Sequence, residues 1–186
     1  ASDCYGDGYT HTDGYRWTLG LPKIYDRSGN NHPPATFGSG SNQPKWLPWD
    51  GIPSVYLPGT AGNAISAPHA ASHDITGDIE IVANVNLGSV TVAHRIVSRG
   101  TTSWGVFISA SNTLGLAFRF GGSMAYGSAA LGAKVDVPLW VKITRSTASG
   151  VVSFYSAPDS QNEPTSWSLL GTSTPTAPGA MDPITT

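Results

Sequence analysis

The segment Ile79–Leu87, IEIVANVNL, constrains the fold more than any other stretch of the chain. Ile79, Ile81, Ala83, Val85 and Leu87 fall on one side of an extended chain, and Glu80, Asn84 and Asn86 fall on the other. That period of two marks a strand with one face in a core and one in water. Gly77 and Asp78 break the chain just before it. Upstream, Val55-Tyr56-Leu57, a Pro58-Gly59 turn and a short run at Ala64-Ile65 continue the alternation of brief apolar segment and turn. Strands of this length joined by tight turns predict an antiparallel β-sandwich, because a sheet with one apolar face needs a second sheet to cover it.

Downstream, the same pattern predicts strands at 93–98, 104–110, 114–120, 139–144 and 151–156. Trp104, Val106, Ile108 and Ala110 share one face, as do Leu114, Leu116, Phe118 and Phe120, with Ser111-Asn112 as a short hairpin link. Leu139, Val141 and Ile143 oppose Trp140, Lys142 and Thr144, and Ser149-Gly150 turns into a strand whose Val152 and Phe154 point together. No window of the chain carries a helical stripe, and the 22 glycines and 14 prolines sit between the apolar runs, so the fold class is all-β. A chain of 186 residues is expected to form one domain, burying roughly 70% of its unfolded surface. Residues 1–14 have no periodicity and read as an arm, and Tyr15, Trp17, Leu19 and Leu21 alternate as a candidate first strand. The expected organisation is therefore an arm with a candidate strand at 1–22, followed by the sandwich at 23–186.

Several segments are also familiar in their order. Asp26-Arg27-Ser28-Gly29-Asn30 is followed by Val55 to Asn63 (VYLPGTAGN), by Asp74 to Ile81 (DITGDIEI) and by Ile96 to Gly100 (IVSRG). Then come Trp104-Gly105-Val106, Pro138 to Lys142 (PLWVK), Val152 to Tyr155 (VSFY) and Ser166 to Gly171 (SWSLLG). Together they cover about residues 23 to 175 and resemble the laminin-G-like, concanavalin A-like jelly-roll domain of minor tail proteins of phages that infect actinobacteria. The resemblance implies a virion protein in the tail or on the surface, with a host cell-surface glycan or other virion subunits as partners and a homo-oligomeric state. It also implies closing strands after Gly171, whereas the chain there reads TSTPTAPGAMDPITT, broken by three prolines. Either the polypeptide continues beyond Thr186, or a neighbouring subunit completes the sheet.

The concanavalin A-like fold hosts both lectins and glycoside hydrolases, so function rests on the individual residues and not on the fold. A formal charge of -2 with scattered Lys and Arg offers no face for nucleic-acid phosphates. No run reaches the roughly 18 apolar residues of a membrane span, and an N-terminus bearing Asp3, Asp7 and Asp13 does not read as a signal peptide. Cys4 is the only cysteine, so no internal disulfide forms. The Asp26 to His32 turn cluster is a structural calcium loop or a self-bonded turn; with one carboxylate nearby, the turn is the expected reading and no cofactor is expected. Glu80 and Glu163 are the only glutamates, and Glu163 sits in the loop Asp159 to Pro164, so the rigid carboxylate pair of a glycosidase is not expected. His69 and His73 follow Pro68 with no glutamate beside them, which is not a zinc helix, and no G-x-S-x-G elbow is present.

Recognition is what remains. Large aromatics near strand ends can stack on the apolar face of a pyranose or bury against a neighbouring subunit. Trp104, Tyr126 and Trp167 are the candidate ligand-binding residues, with Trp140 close to a strand end as well. Trp46 and Trp49, flanking Pro48, suit either a sugar platform or a cover for a sandwich edge, and the latter is expected. The expected function is a non-catalytic virion module. The alternative is a glycoside hydrolase of the concanavalin A-like fold acting on a cell-wall polysaccharide.

Overall fold

The structure, a computed structural model, describes residues 23–24, 35–37, 44–49, 52–57, 64–68, 75–99 and 103–183. The candidate strand at Tyr15–Leu21, the Asp26 cluster, Cys4, His69 and His73 lie outside the described residues. By contact the chain divides into two compact units, Ala1–Ala70 and Ala71–Thr186. In the first, β1 (Lys23–Ile24), β2 (Ala35–Phe37) and β5 (Ile65–Ser66) form a small antiparallel sheet in the order β1-β2-β5. There too, β3 (Lys45–Trp49) and β4 (Ile52–Tyr56) form an antiparallel pair that sets Trp46 opposite Val55 and Trp49 opposite Ile52.

The second unit holds two four-stranded antiparallel sheets. One is built from β7 (His94–Arg99), β8 (Trp104–Ile108), β9 (Thr113–Phe120) and β10 (Ser123–Ala130), in the order β10-β9-β8-β7. The other is built from β6 (Ile79–Val85), β11 (Leu139–Arg145), β12 (Val152–Pro158) and β13 (Ser168–Ser173), in the order β13-β12-β11-β6. The rows that alternate in the sequence meet in one core, where Val106, Ile108, Leu114, Leu116 and Phe118 of the first sheet join Ile79, Val141, Ile143, Val152 and Phe154 of the second. The described residues are thus all-β, and the unit is an antiparallel β-sandwich. Among them no helix is long and apolar enough to cross a membrane.

Three turns show local chemistry setting the register. The β8–β9 link closes with Asn112 at φ 56°, the left-handed region that asparagine tolerates, and its side-chain amide clamps the backbone of Ala133 from both sides (2.8 and 3.1 Å). Phe120 and Ser123 pair across Gly121-Gly122, whose φ values of 58° and 81° make the two-residue hairpin turn that suits the strand twist. Between β11 and β12, Gly150 takes φ 71°.

The sequence does not announce β1, β2 or β3 of the first unit as strands, nor β10 and β13 of the second, and for the last two one reason serves both. The inward side of β10 is Ala125, Gly127 and Ala129, too small to read as an apolar row. These residues are small because β13 comes close: a Cβ on Gly127 would lie 3.3 Å from Ser173 Cβ, and one on Gly171 would lie 3.3 Å from Ala129 Cβ. A bulge at Leu170 then turns Leu169 outward while Leu170 packs on the core.

The segment 174–183 forms no strand, as its prolines predict, yet it is bonded to both sheets. Gly179 N donates to Thr147 O (2.7 Å) and Met181 N to Thr76 O (2.7 Å), beside the second sheet. Asp182 N donates to Arg119 O (3.0 Å), and the Asp182 carboxylate accepts from Gly121 N (2.9 Å) and Gly122 N (2.7 Å) at the first. Met181 enters the core at 3% exposure. Beneath this strap lies Arg145, 1% exposed although it occupies an inward position of β11. Its Nη2 donates to Gly179 O (2.8 Å), and its Cζ lies 4.6 Å from the Phe118 ring centroid and 5.9 Å from that of Phe120. Burial pulls its pKa down from the ordinary arginine value, and the charge of Asp78 opposes the shift.

Candidate functional site

Among the described residues, the outward side of the sheet β6–β11–β12–β13 carries a cluster of aromatic and charged side chains that suits recognition. Because Leu139, Val141, Ile143 and Arg145 point inward, the alternation forces Trp140, Lys142 and Thr144 outward. Register then sets Lys142 between Val82 of β6 and Tyr155 of β12, and Trp140 between Asn84 and Ala157. Trp167 stands immediately before β13 and reaches the same place. The Lys142 ammonium lies 4.8 Å from the Trp167 ring centroid and 5.2 Å from that of Tyr155. Each ring face attracts the cation by about 0.5–1 kcal/mol at a partly exposed site, which holds the two rings in place. Glu80 Oε2 completes the arrangement at 3.9 Å from Lys142 Nζ.

A loop walls one side of this platform. The Trp140 indole N–H donates to Ser160 O (3.0 Å), so the ring is fixed in orientation as well as in register. Asn84 Nδ2 donates to Asp159 Oδ1 (2.6 Å), and Ser160 Oγ donates to Asn162 O (2.7 Å). Leu169, turned outward by the bulge, is 58% exposed and pairs with Tyr155. Fixed aromatic faces beside amide and carboxylate groups are the chemistry of a site that stacks on a sugar ring and bonds its hydroxyls.

The same geometry bears on catalysis. Glu80 and Asn84 are four residues apart on β6, about 13 Å along a strand, and Asp159 is held at the Asn84 end. Carboxyl groups that cleave glycosidic bonds stand about 5 to 9.5 Å apart. Glu163 is exposed in the loop after Asp159, and no described strand carries two carboxylates.

The structure separates the three residues expected to bind ligand. Trp167 joins Lys142 and Tyr155 as described. Trp104 opens β8 in the other sheet, where it packs against the core with its indole nitrogen buried. Tyr126 lies on β10, 62% exposed on the outward side of that sheet and opposite Ala117. Sequence reasoning missed Lys142 and Tyr155 as site residues. Their signal was present in the outward positions of two neighbouring strands, but the meeting with Trp167 depends on the strand order. Among the described residues no group of three or more His, Cys, Asp or Glu could hold a metal ion, and His94 spends its Nε2 on Ser89 O (2.7 Å).

No family model matches the chain, and comparison with curated proteins and with solved structures finds no match either.

Proposed function

We propose that this chain is a non-catalytic virion module, in a phage tail or on the virion surface, that binds a host cell-surface glycan through the outward face of β6–β11–β12–β13. The observation that carries the reading is the pair Tyr155 and Trp167 held against Lys142, with Trp140 on the same face fixed by its bond to Ser160 O, rings set in place before any ligand arrives. Preorganised rings lose little rotamer entropy on binding, which favours a weak, hydroxyl-rich ligand such as a saccharide. The jelly-roll, concanavalin A-like form of the sandwich and the virion setting rest on the sequence resemblance. The alternative reading, a glycoside hydrolase, is disfavoured by the pairing of Glu80 with Lys142 and by its distance along β6 from the Asp159 end. A neighbouring virion subunit or a second copy of the chain is the other occupant that such a face admits.

Affinity electrophoresis through gels containing host cell-wall polysaccharide tests the reading. The native chain is expected to be retarded, and Trp167→Ala to migrate freely while melting at the native temperature. Equal retardation of Trp167→Ala would remove this face as the site. Release of reducing sugar that Glu80→Gln abolishes would replace the reading with the hydrolase, and a stable oligomer that hides Trp167 from quenchers would replace it with an assembly surface.

A further inference from the structure

We infer that the platform takes neutral pyranosides and rejects acidic ones; this rests on the glycan reading above and assigns its ligand class. Lys142 is the only cation on the outward face of this sheet among the described residues, and its charge is already engaged. Its side chain is 19% exposed, with the ammonium set against two rings and Glu80. A ligand carboxylate or phosphate seeking that ammonium must displace the Glu80 carboxylate. A charged polymer lying along the platform from Lys142 toward Trp140 also meets Asp159, held at the Asn84 end of β6, so that two carboxylates stand against one ammonium. Carboxylates accept hydrogen bonds and donate none. Asp159 uses Oδ1 for Asn84, leaving its second oxygen to accept from a sugar hydroxyl. The face thus complements groups that bring O–H donors and repels groups that bring only negative acceptors.

Three matched polymer pairs test this: a soluble glucan, a mannan and a galactan, each compared with its product of oxidation at the primary alcohol, which carries a uronate on the same backbone. Binding to the intact chain is measured by calorimetry at low and at physiological ionic strength. For any pair that binds, the neutral member is expected to be the tighter by on the order of tenfold at low salt, the size of two partly screened repulsions several ångströms away. The ratio is expected to shrink in physiological salt and to approach one in the Glu80→Gln/Asp159→Asn double variant. An oxidised polymer that binds the native chain as tightly as its neutral parent overturns the inference and leaves the glycan reading standing. An unchanged ratio in the folded double variant also overturns it, because the selectivity then arises elsewhere. No binding to any of the six polymers overturns both readings together.

Discussion

The guanidinium of Arg145 on β11 lies over the ring of Phe118 on β9, with 4.6 Å from Cζ to the ring centroid, so a buried cation ties the two sheets together. Its one backbone acceptor, Gly179 O, belongs to the strap, so the same side chain also holds the segment 174–183 in place. Removing it leaves a large hole and frees the strap. Arg145→Ala is expected to cost about 3 kcal/mol or more, while Arg145→Met, which refills the space without a buried charge, is expected to cost clearly less. Urea unfolding of the two variants checks this, and equal losses would show that the charge, not the volume, matters.

Asp78 supplies an acid-sensitive contact at the same end. Its carboxylate accepts from Thr147 Oγ1 (2.7 Å) and Thr147 N (2.6 Å), and these bonds, with a smaller contribution from the Arg145 charge, hold its pKa below the ordinary value. A depressed folded-state pKa stabilises the fold at pH values above the unfolded pKa of about 3.9, and that stability is lost as pH falls through the lower folded value. Asp78→Asn is therefore expected to flatten the acid limb of the stability profile below about pH 4. Thr147→Val should weaken the same limb, since the hydroxyl bond is the largest cause of the shift.

Gly150 is required twice. It sits at φ 71°, and a Cβ there would meet Thr176 O at 2.5 Å, a backbone atom of the strap. Gly132 has a similar φ of 67° with nothing within 4 Å of an added Cβ. Gly132→Ala is expected to cost about 1 kcal/mol from the backbone alone, and Gly150→Ala at least about twice that. Thermal melts of the pair separate strain from collision. Equal shifts would mean that the strap gives way freely.

Ile81 faces the core opposite Ile143, which is 1% exposed, whereas its neighbour Val82 faces outward opposite Lys142. Ile81→Asp is expected to be destabilising by about 3 kcal/mol or more, because an unpaired carboxylate would enter the core. Val82→Asp, placed beside an ammonium, should stay within about 1 kcal/mol of the native chain. A soluble, cooperatively unfolding Ile81→Asp variant would reverse the assigned facing.

The sequence alone determined the β class and the facing of the central strands. In Ile79–Leu87, Leu114–Phe120 and Leu139–Ile143 the need to bury one side leaves a period of two in the residues themselves. It determined as well that Trp140 and Lys142 share the outward side. What tertiary structure decided are the features set by neighbours far along the chain. β10 carries no apolar row because β13 approaches it too closely for large side chains, and its one local mark was the Gly121-Gly122 turn. Arg145 reads as a surface charge until the rings of Phe118 and Phe120 and the carbonyl of Gly179 surround it. Trp167 becomes part of a site only because β13 lies beside β12 and β12 beside β11, which brings its ring to Lys142, while Trp104 and Tyr126 are carried to the other sheet. Alternation is a local consequence of burial and survives in the sequence; which strands become neighbours is settled by closing long loops against packing free energy, and no single segment encodes it.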